Sequence, residues 1–156
     1  MSRGYFAVGI YGCKTEVNVG TLWRSASLYG AAFVFTVGHR YQRRQASDTM
    51  HTARHTPLLH FADMADLAAH TPAMASLVGV ELDPRAVSLP GFAHPERAIY
   101  LLGAEDDGLP QDVIDECDAL VTIPSVLPWS MNVSTAGTVL LYDRHAKSLA
   151  RQAVAS

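Results

Sequence analysis

Five short apolar runs constrain the fold of this 156-residue chain more than any other feature of it. They are rich in β-branched and aromatic residues, and they lie at 5–12, 31–38, 76–82, 98–103 and 118–123. Runs of this length and composition are typical of strands. Because they are apolar throughout rather than alternating with polar residues, they indicate a mostly parallel sheet that helices cover on both faces.

Segments with helical periodicity separate these runs. The segment 16–30 places Val19, Leu22 and Ala26 near the spacing of one helix face and ends in Gly30, a common helix terminator. The other predicted elements are a short strand at 57–61, helices at 62–70 and 110–117, a mostly irregular 39–55 with room for a helix at 44–50, and a last helix from about residue 132. The predicted class is α/β, as a single domain over residues 1–156.

Composition excludes several classes of protein. Apolar residues make up 49% of the chain, which is enough for a sizeable core. We see no secretory leader and no apolar stretch near about 20 residues, so we expect a cytoplasmic protein without a membrane span. Cys13 and Cys117 lie far apart without metal-ligand spacing, which favours reduced thiols and no metal site.

The charges are distributed unevenly. The net charge of −3 argues against a protein that coats nucleic acid indiscriminately. However, the segment 39–55 carries four arginines and a single acidic residue, while acidic residues gather at 103–118. A local basic surface is therefore expected on a mildly acidic protein.

Polar residues cluster where three predicted strands end, at the edge of an α/β sheet where ligands bind. The first cluster contains Asn18, Gly20 and Arg24. Asn18 and Arg24 are nearly two helical turns apart, so both could face one side of the helix. Alternatively, Asn18 is a helix N-cap and Arg24 a solvated surface charge.

The second cluster follows the strand at 98–103. Gly103 and Gly108 bracket Glu105 and two aspartates. Glycines at this spacing let a backbone pass close to a ligand, or they simply form a turn into the next helix. The spacing matches neither a phosphate loop nor a dinucleotide fingerprint.

The third cluster precedes the last helix. Ser130, Asn132 and Ser134 form either an ordinary helix start, with Ser130 as the N-cap, or a helix start that is also a binding surface. Pro124 and Pro128 stiffen the same loop beyond what a simple connector requires.

Taken in order, the three clusters resemble the motifs of the SpoU (TrmH) class of the SPOUT RNA methyltransferases. The matching residues are Asn18-x-Gly20-x-x-x-Arg24, Leu102-Gly103-x-Glu105-x-x-Gly108-Leu109, and Ile123-Pro124 followed by Ser130-Met131-Asn132-Val133-Ser134. The motifs stand in the family order and at family-like separations. The resemblance covers nearly the whole chain.

The resemblance implies a fold and a reaction. The fold would include a C-terminal trefoil knot whose loops, 101–110 and 121–135, hold S-adenosyl-L-methionine. The protein would be a homodimer with its active site at the subunit interface. The reaction would transfer a methyl group to a ribose 2′-hydroxyl of RNA, with tRNA slightly favoured over rRNA.

The resemblance also implies roles for individual residues. Catalytic roles would fall to Arg24, Asn18, Ser130 and Asn132. Cofactor-binding roles would fall to Leu102, Gly103, Glu105, Gly108, Leu109, Ile123, Pro124, Met131 and Asn132. Glu105 is expected to shape its loop rather than to act as a base.

Two sets of basic or aromatic residues are candidates for contact with RNA. The arginines of the basic segment are Arg40, Arg43, Arg44 and Arg54, and arginine suits phosphate and base contacts. Alternatively, this segment is a solvated loop or part of the dimer surface. Tyr142, Arg144 and Lys147 on the last helix could serve either the RNA or the dimer.

A ribose hydroxyl is a poor nucleophile until its proton leaves, so a base or a positive charge must lie close to it. No histidine lies in the three motifs, and the resemblance therefore leaves Arg24. A free guanidinium holds its proton firmly. Arg24 would either act as a base once the substrate phosphate perturbs it, or stay charged and stabilise the developing alkoxide, the role we favour. Asn18 would hold Arg24 and the RNA phosphate.

The third motif departs from the family pattern. Ser125 replaces a methionine, and the loop is one residue shorter, with Pro128 and Trp129 directly before Ser130. Trp129 either stacks on a base or packs partly buried in the protein. We expect this change to affect the affinity for the cofactor more than any other property. The second hypothesis is therefore a knotted RNA-binding dimer without catalytic activity. A flavodoxin-like nucleotide-binding module is the third.

Overall fold

The computed structural model describes residues 4–39 and 54–155. Within these residues, seven parallel strands form one sheet in the order β3-β2-β1-β6-β4-β7-β5. The strands are β1 Tyr5–Tyr11, β2 Phe33–Val37, β3 Leu58–Phe61, β4 Ser76–Val80, β5 Val87–Ser88, β6 Arg97–Gly103 and β7 Ala119–Thr122. The helices are α1 Glu16–Leu28, α2 Met64–His70, α3 Gln111–Glu116 and α4 Val133–Val154.

This architecture confirms the predicted class. All five long runs and the short run at 57–61 form strands, and the predicted helices form with shifted ends. The sequence reading missed β5, because two residues that pair only with β7 leave no periodic signal in a connector. The predicted helix at 44–50 lies outside the described residues.

Helices cover both faces of the sheet, as predicted. On one face, α1 and α4 pack over a core that includes Val8, Leu22 and Leu140. On the other face, Leu67 of α2 and Val113 of α3 pack over the strands. The described residues contain two free cysteines, and burial raises the pKa of both thiols, that of Cys117 to about 11.

The α1 and α4 helices run side by side in close contact. A Cβ atom on Gly137 would lie 2.4 Å from Cδ1 of Leu22, so glycine is what lets the helices approach. The hydroxyls of Ser25 and Thr138 form a 2.7 Å hydrogen bond across the same contact. This contact sets the position of the second turn of α4 against the middle of α1.

A buried polar cluster fixes α4 to the segment before β6. Arg144 is 6% exposed and donates hydrogen bonds to the carbonyl oxygens of Pro95 and Glu96 and to the Tyr100 hydroxyl. Its guanidinium also lies 4.8 Å from the centre of the Phe6 ring. Arg144 therefore holds the fold together, and the prediction that it contacts RNA or a second subunit is wrong.

The same cluster continues through a histidine. Since arginine only donates, the Tyr100 hydroxyl donates in turn to Nδ1 of His94 at 2.7 Å, and Nε2 of His94 donates to Asp143 at 2.9 Å. Burial raises the pKa of Tyr100 to about 12, so the phenol stays neutral. Lys147 pairs with Asp143 and donates to backbone carbonyls, so it too is engaged within the chain.

Replacing Arg144 with methionine should destabilise the protein. The change leaves two backbone carbonyls and the Tyr100 hydroxyl without their donor, and each buried unsatisfied group costs about 1–3 kcal/mol. We expect urea denaturation to report a loss of about 3 kcal/mol in the free energy of unfolding. Arg151→Met, which changes an exposed residue near the end of α4, should change it by less than about 0.5 kcal/mol. Equal losses would contradict the role given to Arg144.

His94 should make stability depend on pH. Burial lowers its pKa, the charges of Arg144 and Lys147 act in the same direction, and Asp143 opposes them. Since the unfolded chain then binds the proton more tightly, His94 contributes stability above about pH 6.5 that is lost as the pH falls below this value. Between about pH 7.5 and about pH 5.5, the wild-type protein should lose more unfolding free energy than His94→Gln. If the unfolding free energies of the two proteins change equally with pH, His94 is not the source of the pH dependence.

Candidate functional site

Three strand-end loops meet at the carboxyl edge of the sheet and enclose a cavity of about 500 Å³. One wall is the end of β4 with Glu81 and Leu82, and a second is the loop 103–108 after β6. The third wall is the segment 122–131 after β7, together with the first turn of α4. The volume is within the usual range for small-molecule sites, about 300–1,000 Å³.

The loop after β6 folds back on the end of its own strand. Ala104 and Gly108 form an antiparallel bridge, and the Gly108 N–H donates to the Ala104 carbonyl at 3.0 Å. A Cβ atom on Gly103 would lie 2.3 Å from the carbonyl carbon of Gly108, and Gly108 itself has φ +62°. Both glycines are therefore required by this turn.

Glu81 fixes the end of that loop. Its carboxylate accepts hydrogen bonds from the backbone N–H of Leu109 at 2.7 Å and of Leu82 at 2.8 Å. The carboxyl end of β4 is thus tied to the loop after β6. The shape of the cavity depends on this tie, because both segments line it.

The loop after β1 is tied to the same loop from the other side. The Thr15 hydroxyl donates to Oε2 of Glu105 at 3.1 Å, and Lys14 pairs with Asp107 at 3.0 Å and Asp106 at 3.5 Å. The other carboxylate oxygen of Glu105, Oε1, is buried and has no hydrogen-bond partner among the described residues. A buried carboxylate oxygen without a partner is costly, so it marks a place for a donor or a cation.

The start of α4 is joined to α1 by a small amide network. Asn132 is the N-cap of α4, and its Oδ1 accepts from the backbone N–H groups of Ser134 and Thr135 at 3.0 and 3.2 Å. Its Nδ2 donates to Oδ1 of Asn18 at 3.1 Å, and the Ser134 hydroxyl lies 3.4 Å from the same oxygen. The hypothesis of a helix start with Ser130 as N-cap is therefore wrong in that residue, since Asn132 has the role.

Within the described residues, Asn18 and Arg24 of the first motif do not face the same side of α1. The N-cap of α1 is Thr15, so the interpretation of Asn18 as a cap is wrong. Asn18 is 6% exposed and points to α4, whereas Arg24 is exposed. Six residues at 3.6 per turn place the two side chains roughly 120° apart around the helix. The structure brings Asn18 to Asn132 and Ser134 but leaves Arg24 without a hydrogen bond or ion pair among the residues it describes.

Most of the predicted cofactor-binding residues line the cavity. Those that do are Leu102, Gly103, Glu105, Gly108, Ile123 and Met131, and Ser130 joins them. Leu109 lies in the core with its N–H on Glu81, and Asn132 is the cap described above. Pro124 is exposed and outside the lining.

Of the basic segment, the structure describes only residues 39, 54 and 55. Arg40, Arg43 and Arg44 lie outside the described residues, and Arg54 is exposed. Two residues later, the backbone carbonyl of Thr56 accepts a 2.8 Å hydrogen bond from the indole of Trp23. Arg54 is therefore held close to α1, the helix that carries Arg24.

Three residues of the site were missed by the sequence reading. Lys14 and Thr15 precede the first motif, and Glu81 follows β4. Position alone could have indicated them, because all three stand at the carboxyl ends of predicted strands. Their partners could not be predicted, since Lys14 and Thr15 bond to residues 93 and 90 positions away.

Residues 5–142 match the model of the SpoU rRNA Methylase family, which is nearly the whole sequence. In this structure, the residues that match the family motifs form the turn at 103–108 and the Asn18–Asn132 junction, at one edge of the sheet. The chain belongs to this family.

Two curated relatives and one solved structure indicate where within the family the similarities lie. The chain is 30% identical over 132 residues to the 23S rRNA (guanosine-2'-O-)-methyltransferase RlmB of Acinetobacter baylyi, covering 81% of this chain and 53% of that protein. It is 29% identical over 145 residues to the tRNA (cytidine(34)-2'-O)-methyltransferase of Ancylobacter novellus, covering 86% of this chain and 88% of that protein. The AdoMet-bound rRNA methyltransferase from Sinorhizobium meliloti shares the fold with a TM-score of 0.82 and 23% identity, covering 92% of this chain and 57% of that one. The chain thus spans about half the length of the rRNA relative.

No helix within 4–39 and 54–155 is long and apolar enough to cross a membrane. In the same parts of the chain, no group of three or more His, Cys, Asp or Glu side chains is arranged to hold a metal ion.

Substituting Asn132 separates its two contacts. Asn132→Ala removes the cap of α4 and the bond to Asn18, and we expect it to lower the unfolding free energy by about 1–2 kcal/mol in urea denaturation. Asn132→Ser keeps a good capping oxygen but is too short to reach Asn18, so it should recover about half of that loss or more. If Asn132→Ser has no higher unfolding free energy than Asn132→Ala, capping of α4 is not the contribution of Asn132 to stability.

Proposed function

We propose that this chain is an S-adenosyl-L-methionine-dependent RNA methyltransferase that transfers a methyl group to a ribose 2′-hydroxyl. The observation that carries the proposal is the meeting of the second and third motifs on one cavity, beside the amide junction formed by the first motif. Membership of the SpoU family supports it. Cytoplasmic localisation, a single domain over 1–156 and the trefoil knot belong to the same proposal.

The residues around the cavity fit the cofactor. Leu102, Ile123 and Val133 supply an apolar wall, and the loop 103–108, whose tight turn requires Gly103, lines the cavity beside them. The buried Oε1 of Glu105 has no hydrogen-bond partner among the described residues, which suits a ligand that brings a positive charge and donor groups. When bound, S-adenosyl-L-methionine supplies a methyl group on a positively charged sulfur, which is electrophilic without further activation.

The acceptor hydroxyl has to lose its proton near a positive charge. Arg24 is the candidate, because it is exposed and has no partner among the described residues that would compete for its guanidinium. We assign it electrostatic stabilisation of the alkoxide and anchoring of the RNA phosphate. Asn18 does not hold Arg24 within one chain; it holds the start of α4, so its contribution is to position Asn132 and Ser134.

Arg24 lies on a face suited to a second subunit. On α1, Val17, Arg24 and Leu28 stand at helical spacing, and Val17 and Leu28 are 65% and 67% exposed. On the neighbouring α4, Tyr142 and Leu149 are exposed as well. An apolar stripe of this kind on two packed helices is typical of an interface, and we propose a homodimer in which Arg24 of one protomer serves a site at this interface.

The substrate is proposed to be tRNA in preference to rRNA. The tRNA relative is matched over 88% of its length and the rRNA relative over 53%. The exposed Arg54, close to α1, is a candidate phosphate contact together with Arg40, Arg43 and Arg44.

Arg24→Ala should abolish methyl transfer without unfolding the protein. Loss of one donor that stabilises a developing oxyanion costs about 100-fold or more in rate. The assay is incorporation of labelled methyl groups into unmodified tRNA and rRNA transcripts, with the melting temperature as a check on the fold. Arg24→Lys, which keeps the charge, should recover part of the activity, and Arg151→Ala should behave as wild type.

Three outcomes of this assay distinguish the hypotheses. Label at one site that resists alkaline cleavage establishes ribose methylation and gives the substrate class. Near-normal turnover of Arg24→Ala removes Arg24 from the mechanism. If the wild-type protein binds RNA but transfers no methyl group and binds no cofactor in calorimetry, the alternative of a non-catalytic RNA-binding dimer replaces the proposal.

Leu28→Glu should weaken the dimer. A carboxylate on the exposed face of α1 would have to lose its water at the interface, and we expect the dimer dissociation constant to rise about tenfold or more in sedimentation equilibrium. Met74→Glu changes a residue that is more exposed, at 87%, but lies in the loop before β4, so it should leave the constant unchanged. A monomeric wild-type protein, or equal effects of both variants, would exclude this interface.

A further inference from the structure

The two tryptophans of the chain have opposite environments. Trp23 is buried and donates its indole N–H to the Thr56 carbonyl. Trp129 is 73% exposed, lies at the cavity and has no hydrogen-bond or ring partner among the described residues. The prediction that Trp129 packs partly buried is therefore wrong. A large aromatic side chain left in solvent at the mouth of a site needs a different explanation.

The loop that carries Trp129 is held in a defined shape. The Ser125 hydroxyl donates to the Leu127 carbonyl at 2.6 Å, and Pro128 fixes the backbone directly before the tryptophan. Met131 and Val133, on the other side of Trp129, also line the cavity. The indole is therefore presented at the rim by a stiff connection between β7 and α4.

We propose that the indole of Trp129 stacks on a nucleobase of the RNA substrate at the mouth of the cavity. The inference rests on the proposed function and adds to it a specific contact with an unpaired base. Aromatic side chains bind single-stranded RNA in this way because every base has an uncharged face.

The charges around the cavity favour a base over a phosphate at this place. Glu105, Asp106 and Asp107 all line it, and the single cation bonded to them in the described residues, Lys14, is shared between the two aspartates. Such a rim repels the RNA backbone. It does not repel the face of a base.

The exposure of Trp129 also favours the RNA over the cofactor. A ligand that fills a pocket of this size is itself mostly enclosed by the walls. An indole that remains about three-quarters exposed faces the solvent from which the substrate arrives. The positively charged RNA-binding candidates, Arg24 and Arg54, would then hold the backbone elsewhere while Trp129 holds a base.

The test uses the fluorescence of the exposed tryptophan. Acrylamide should quench Trp129 in the free protein, and a short single-stranded RNA of mixed sequence should quench and protect it. An abasic ribose-phosphate oligomer of the same length should do neither. In Trp129→Phe, the fluorescence response should disappear while RNA binding largely persists, since phenylalanine still stacks.

Affinities give the second readout. Trp129→Ala should raise the dissociation constant for the RNA by about 5- to 150-fold, and leave the dissociation constant for S-adenosyl-L-methionine unchanged in calorimetry. Val126→Ala is the matched control, because Val126 is fully exposed in the same loop but does not line the cavity. Its effect on RNA affinity should be less than about twofold.

The outcomes separate this inference from the proposed function. If RNA binds and is methylated equally well by Trp129→Ala, the stacking contact is overturned and the proposed function stands. If the wild-type protein binds no RNA and transfers no methyl group, the proposed function fails first and the inference with it. A loss of cofactor affinity in Trp129→Ala, or a shift from dimer to monomer, would assign the indole to the cofactor wall or to a second subunit and overturn the inference.

Discussion

The hydrogen bonds between Asn18 and the first turn of α4 are the interaction on which the site depends. Asn132 caps α4 with its oxygen and reaches Asn18 with its nitrogen, so one side chain ends a loop, begins a helix and joins two helices. The loop 122–131 is anchored by this residue on one side and by β7 on the other. Without the junction, the third wall of the cavity would have no fixed position.

Around this junction, the other loops are tied to one another by hydrogen bonds and ion pairs. Glu81 holds the backbone after β6, and Thr15 and Lys14 hold the carboxylates of the same loop. Because each tie joins two different strand ends, the cavity is a property of the whole sheet edge. The two glycines at 103 and 108 make the tight turn that these ties require.

Much of the fold could be predicted from the sequence, because apolar strands and periodic helices are local signals. The two-residue β5 was missed since its only support is the pairing with β7. For the site, the residue types in the three motifs indicated which loops would meet, and most of the expected residues line one cavity. The hydrogen-bond partners of these residues could not be predicted. Asn18 was expected to hold Arg24, but helix geometry directs the two side chains apart. Arg144 was expected at the surface because nothing in the sequence indicates that a long charged residue will find three buried acceptors.

The distance along the chain between the partners at the α1–α4 junction has a consequence for folding. Asn18 bonds to Asn132 and Ser134, which follow it by 114 and 116 positions in the sequence. Lys14 and Thr15 bond to residues that follow them by 93 and 90 positions. Contacts of such high sequence separation are formed late and slowly, because a long loop must close before they stabilise anything. The sheet can begin to assemble while the chain is still being synthesised. The pocket can close only when nearly all of the chain has been made, so an incomplete chain has strands and helices but no site.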